Sequence, residues 1–204
     1  MRNPAIALAM TGASGAQYGL RLLECLLAAG EEVALMISQA GQIVINTETD
    51  WSLPSSPKQI QALLSERLGA EEGQLHVYGR DQWMAPIASG SSAPKAMVVC
   101  PCTTATLSSV ATGQSNTLIE RAADVALKEK RPLILVVRET PFSPIHLENM
   151  LTLARAGATV MPANPAFYHH PQRVEDLVDF MAARILDHLN IDHALGPRWG
   201  REPT

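Results

Sequence analysis

The chain has 204 residues, 47% of them hydrophobic, and a formal net charge of −4 with its Lys and Arg dispersed. That length supports one sizeable core, and no Pro/Gly/Ser-rich linker divides it, so a single domain over 1–204 is expected. With no basic stripe and no polybasic arm, nucleic acid and membrane surfaces are excluded as partners, and small molecules are favoured.

No run approaches a membrane span, and the apolar stretch after Arg2 is about six residues, short of the 7–15 of a signal-peptide core; a cytoplasmic protein is expected. Cys25, Cys100 and Cys102 are odd in number and lack paired zinc spacing, so they are read as reduced thiols, with no disulfide framework and no metal site.

Continuous apolar runs at 5–10, 33–37, 96–100, 133–137 and 158–161 read as strands. They alternate with helical patterns at about 16–29, 39–47, 58–68, 103–112, 118–129, 144–155 and 173–188. Strands apolar on both faces and separated by helices predict an α/β, single-domain, doubly wound parallel sheet in three layers. Ligands of such sheets bind beyond the carboxyl ends of the strands. The residues just after each run are therefore the ones to read.

The first run enters Thr11-Gly12-Ala13-Ser14-Gly15-Ala16-Gln17-Tyr18-Gly19 and then a helix, a turn through which backbone N–H groups can approach a bound phosphate or ring. Its glycines do not fit the dinucleotide fingerprint, and the second run ends in Ser38 where an acidic residue would hold a ribose. Tyr18, Tyr78 and Tyr168 lack the lysine four places on that short-chain dehydrogenases use. A mononucleotide is therefore favoured over NAD(P). The third strand ends in Cys100-Pro101-Cys102 and Thr103-Thr104-Ala105-Thr106, in which a threonine can cap the next helix and donate to an anion. Arg138-Glu139 follows a buried strand, where charges need a partner or a ligand.

On the helix near 118–129, Arg121 and Lys128 share a stripe and could clamp a phosphate, or Arg121 could simply pair with Asp124. Arg184 on the last helix sits at the edge of an apolar stripe, as a ligand or as a snorkelling side chain. Glu48 reads as a helix-end carboxylate. Cys100-Pro101-Cys102 lacks redox spacing, and His169-His170 has no second ligand cluster.

Taken together, Thr11-Gly12-Ala13-Ser14-Gly15, Ala88-Ser89-Gly90-Ser91, Pro101-Cys102-Thr103 with Thr106, Asn116 with Glu120-Arg121-Ala122-Ala123-Asp124, and Pro141-Phe142 with His146-Leu147-Glu148-Asn149-Met150 resemble the UbiX-type flavin prenyltransferases. The likeness runs from about residue 5 to Trp199. It implies a Rossmann/flavodoxin-like fold, FMN as cofactor and acceptor in its reduced form, and transfer of a dimethylallyl group from dimethylallyl phosphate. The prenylated flavin then serves a UbiD-type decarboxylase, in ubiquinone biosynthesis or aromatic-acid decarboxylation. A homo-oligomer, a dodecamer by the same resemblance, is implied, with the 190–204 tail packing on the site or on a neighbouring subunit.

Carried over position by position, the resemblance assigns FMN binding to Gly12, Ala13, Ser14, Ser38, Thr103, Thr104, Ala105, Thr106 and Arg138. It assigns the prenyl phosphate to Tyr168 and Arg184, with Ser89, Gly90, Arg121, Lys128 and Glu139 around the same phosphate. Ser14 and Glu48 form a proton relay beside the flavin N5; Lys128 and Glu139 join them as catalytic residues; Trp83 and Trp199 line the prenyl pocket. No metal is implied, since the chain has no Asp-rich motif to hold Mg²⁺ on a diphosphate. Two other readings share the fold: an FMN-dependent cysteine-type decarboxylase and a non-catalytic FMN-binding regulatory protein.

Overall fold

The computed structural model describes residues 6–196. In chain order its elements are β1 (Ile6–Met10), α1 (Ala16–Ala28), β2 (Val33–Ile37), α2 (Gln39–Glu48), α3 (Pro57–Leu68), β3 (Leu75–Tyr78), β4 (Ala96–Cys102), α4 (Thr104–Ala111), α5 (Leu118–Lys128), β5 (Leu133–Val137), α6 (Pro144–Arg155), β6 (Thr159–Pro162) and α7 (Val174–Leu189). The six strands form one parallel sheet in the order β3-β2-β1-β4-β5-β6. The chain winds outward from β1 in one direction and from β4 in the other. Their shared carboxyl end is thus the topological switch point where such sheets bind ligands.

Strand alternation divides the core between two layers. Ile6, Leu8 and Met10 of β1 face a cluster with Leu22, Ile45, Leu64 and Ile185, from α1, α2, α3 and α7. Ala7 and Ala9 face the other way, onto Leu107, Ala122, Ala126 and Leu153 of α4, α5 and α6. Small side chains on both the sheet and α5 bring that helix close. α5 and α7 therefore lie on opposite faces of the sheet, which decides how the charged residues they carry can be used.

The expected five strands become six. The added strand, β3, is short and at the edge, with alternating buried and half-buried residues; it has none of the continuous apolar character that marks the central strands. β4 runs past Cys100 to Cys102, with a register shift against β5 between Val99 and Cys102. Pro101 inside a central strand is accommodated by that irregularity. Its carbonyl accepts from both the backbone N–H (3.1 Å) and the hydroxyl (2.8 Å) of Thr11, tying the end of β4 to the end of β1.

Candidate active site at the switch point

Four segments meet at the carboxyl rim of the sheet. Thr11 hydroxyl also accepts from Thr103 N–H at 2.9 Å, so the turns after β1 and β4 are linked by one side chain. Ser38 caps α2 by accepting from Gly41 N–H at 3.0 Å, and its own N–H donates to Met10 carbonyl. Thr103 caps α4 by accepting from Thr106 N–H at 3.1 Å. Two helix N-termini therefore open on the same crevice, each with first-turn N–H groups that have no partner within the helix.

Glycine is required twice in the first turn. Gly15, at the N-cap of α1, has φ 104°, a left-handed conformation that side chains disfavour. A Cβ on Gly12 would stand 2.4 Å from Cβ of Ala40, so the turn passes directly over the start of α2.

The expectation that the N-terminus of α1 would offer itself to a phosphate needs correction. Its first N–H groups are already taken: Glu48 Oε2 accepts from Gly15 at 2.8 Å and from Ala16 at 2.9 Å. The protein's own carboxylate, from the last turn of α2, is the anion at that helix end. Burial pushes the Glu48 carboxyl up. The hydrogen bonds from Ser14, Ala16 and Gly15, together with the charge of Arg138, outweigh that effect and hold it below the ordinary carboxylate range. Glu48 is therefore ionised at neutral pH. Ser14 donates its hydroxyl proton to it, which leaves the Ser14 oxygen free to accept from a donor above the turn.

Arg138 and Glu139 leave the end of β5 at the same rim. Arg138 N–H donates to Cys102 carbonyl, and Thr104 hydroxyl donates to Glu139 Oε2 at 3.4 Å. Nε of Arg138 is buried without a hydrogen-bond partner, a costly state for a guanidinium. An aromatic or anionic ligand carrying an acceptor would satisfy it. This orphaned donor, two capped helix ends and a glycine-lined turn fit a flavin mononucleotide. Cys100 and Cys102 lie fully buried beneath the rim, where burial pushes both thiols up, Cys102 to about 12; they are packing residues, not nucleophiles.

The charged residues expected around one phosphate fall into separate places within a single chain. Ser89, Gly90, Arg121 and Lys128 are together: Arg121 Nε donates to Ala88 carbonyl at 3.0 Å, and Lys128 Nζ lies 2.7 Å from where a Cβ on Gly90 would be. Arg121 also pairs with Asp124 at 2.9 Å and Lys128 with Glu129. Lys128 ends α5 just before β5 begins, at the amino end of the strand whose carboxyl end leads into Glu139. Tyr168 and Arg184 lie on the far face, lining a cleft of about 500 Å³ along α7 with Phe180, Asp187 and His193. Trp83 is 45% exposed, on the segment that returns from β3 to β4. Trp199 lies outside the described residues.

A protein-family model described as Flavoprotein matches residues 1–186. A flavin prenyltransferase UbiX from Pseudomonas aeruginosa is 64% identical over 197 residues, covering 97% of this chain and 94% of that protein. The chain belongs to the UbiX-type flavoprotein family. A second member, from Halalkalibacterium halodurans, is 45% identical over 95% of the chain and 92% of its own length. Among solved structures, AnUbiX in complex with FMN and dimethylallyl pyrophosphate superposes with a TM-score of 0.86 at 39% identity, covering 99% of this chain and all of that one. A dodecameric FMN-dependent UbiX-like decarboxylase from Escherichia coli O157:H7 gives 0.83, also at 39%, over 96% and 99%. A PPC decarboxylase gives 0.57 at 18% identity, a likeness of fold alone. The UbiX-type fold and the rim described above therefore coincide in one family.

Proposed function

We propose that this chain is a flavin prenyltransferase, joining a dimethylallyl group from dimethylallyl phosphate to reduced FMN. The observation that carries the reading is the buried, unpartnered Arg138 Nε at the switch point, between the Glu48–Ser14 pair and the capped start of α4. It is supported by relatives that carry this activity in their names over nearly the whole chain.

Gly12, Ala13, Ser14 and Ser38 form one wall of the flavin site, and Thr103, Thr104, Ala105 and Thr106 the other. Arg138, whose buried Nε has no hydrogen-bond partner, would donate to the flavin. Reduced FMN supplies the electron-rich N5 that accepts the prenyl group. The donor's carbon–oxygen bond breaks and a carbon–nitrogen bond forms, phosphate leaves with the bonding pair, and the N5 proton passes to Ser14 oxygen as Ser14 gives its own to Glu48. Glu139, held by Thr104, orients the leaving phosphate. Arg121, Lys128 and Arg184 neutralise the charge that grows on it, and Tyr168 with Trp83 and Trp199 encloses the allyl fragment.

Because the basic groups lie on opposite faces of the sheet and at opposite ends of its strands, a complete phosphate site needs residues from neighbouring copies. This fits the homo-oligomer, a dodecamer in the Escherichia coli relative. The exposed Ile145, Leu147 and Leu151 of α6, with Phe142 just before it, offer the apolar surface for such contacts. The enzyme works in the cytoplasm and passes its product to a UbiD-type decarboxylase.

Anaerobic incubation with reduced FMN and dimethylallyl phosphate, followed by mass spectrometry of the released flavin, tests the reading. A flavin heavier by one prenyl unit is expected. Bound FMN with no adduct would leave a non-catalytic flavoprotein, and adduct formed only from the diphosphate would correct the donor.

A further inference from the structure

The cleft along α7 contains a chain of contacts that the proposed chemistry does not use. α7 ends at Asn190, which adopts a left-handed conformation (φ 55°, ψ 41°) and turns the backbone back along the last helical turn. Ile191 enters the core there at 9% exposure, and Leu195 packs against the same cluster. Between them, the side chain of His193 is held at 6% exposure.

Both ring nitrogens of His193 are engaged. Leu195 N–H donates to Nδ1 at 3.2 Å, so Nδ1 is the acceptor and the ring proton sits on Nε2. That Nε2 donates to Asp187 Oδ1 at 3.2 Å. The other oxygen of the same carboxylate, Oδ2, accepts from Arg184 Nη1 at 2.9 Å. Three hydrogen bonds thus run from the backbone of the segment after α7, through a buried imidazole and a carboxylate, to a guanidinium whose side chain is 49% exposed at the cleft.

The other carboxylates around the cleft are committed elsewhere. Asp179 binds Arg21 Nε at 2.6 Å, and Asp176 caps the start of α7 by accepting from Gln172 and Arg173 N–H. Asp187 alone among these three joins Arg184 to the buried histidine. An ordinary surface Arg–Asp pair one turn apart is loose; here the carboxylate is fixed from behind by a ring that cannot rotate without losing its own backbone bond.

We propose that Asp187 and His193 are positioning residues for Arg184, fixing its guanidinium for the prenyl phosphate through the segment 191–195. The inference rests on reading Arg184 as a phosphate ligand. An arginine already held in its binding rotamer loses less side-chain freedom when the anion arrives, so removing the support weakens phosphate binding without removing the charge.

The test uses the full-length protein and steady-state prenylation with reduced FMN and dimethylallyl phosphate. Asp187→Asn, close in shape but uncharged, and His193→Leu should each raise KM for dimethylallyl phosphate by about tenfold, with FMN affinity and kcat little changed. His193→Gln, which restores a donor toward Oδ1, should recover most of the loss. Unchanged KM in Asp187→Asn and His193→Leu, or equal weakening toward FMN and the prenyl phosphate, overturns the proposal. Arg184→Ala separates the two levels. If it raises KM while the supporting variants do not, only the positioning role fails; if it changes nothing, the reading of Arg184 falls and the proposal with it.

Discussion

Replacing Glu48 by Gln tests the central feature of the site. The carboxylate accepts from Gly15 N–H at 2.8 Å and Ala16 N–H at 2.9 Å at the positive end of α1. Gln keeps one acceptor oxygen but loses the charge. Charge-assisted bonds contribute about 1 kcal/mol more than neutral ones, and an anion at a helix start adds about 0.3–1 kcal/mol. Since Glu48 is only partly buried, a net loss of about 1–2 kcal/mol is expected, which lowers Tm by roughly 2–8 °C in a chain of this size. The effect carries a pH signature. Glu48 is depressed in the folded protein, so its contribution is complete above its unfolded value of about 4.3 and is lost as pH falls through the lower folded value. Thermal melts of the parent and Glu48→Gln should therefore differ at pH 7 and converge as pH falls below about 4. In single-turnover prenylation at saturating FMN, the variant should be slower by about 10²-fold or more, since it can no longer take the proton that Ser14 passes on. Identical melting at pH 7 together with an unchanged rate would refute both the capping and the relay.

Arg138→Met removes a buried donor that has no protein partner. Without FMN its unfolding free energy should stay within about 1 kcal/mol of the parent, while FMN titration shows Kd raised by about tenfold or more. Gly12→Ala places a Cβ 2.4 Å from that of Ala40, against helix backbone that cannot yield easily; a loss of about 1–3 kcal/mol by denaturant unfolding is expected, with weaker FMN binding. Lys128→Ala should raise KM for dimethylallyl phosphate more than the requirement for FMN; equal effects would make Lys128 structural.

What was legible in the sequence was local. Continuous apolar runs mark the four inner strands, because a residue buried on both sides of a sheet must be apolar whatever its neighbours, and the run at 158–161 marks β6 at one edge. A threonine of the 103–106 turn could be read as a cap because an N-cap acts within three residues of itself. β3 escaped because an edge strand needs only half its residues buried. The partnership of Glu48 with Gly15 joins residues 33 apart, and no spacing rule reaches that far; only the placement of α2 beside the first turn shows that the helix end is already filled. His193 is silent in the sequence for the same reason. Its significance lies in the reversal at Asn190 that folds it back against Asp187.

The shared stripe of Arg121 and Lys128 is real, since both lie on α5 beside the 88–91 segment, and the pairing of Arg121 with Asp124 is real as well. The two readings do not compete, because a surface ion pair contributes little and can exchange its partner for a phosphate. What periodicity could not tell is that α5 and α7 pack on opposite faces, so that Arg121 and Arg184 cannot close on one anion within a chain. On the proposed function, a single copy would hold the flavin cradle whole and the phosphate clamp in parts. A homo-oligomer like that of the Escherichia coli relative would then bring cations from separate copies to the one place where negative charge develops, so that catalysis depends on the oligomer while FMN binding does not. Disrupting the α6 face with Leu147→Asp and Leu151→Asp should therefore abolish prenylation in step with dissociation by size-exclusion chromatography. FMN should remain bound to the separated chains, and prenylation that persists in them would show that each chain completes its own phosphate site.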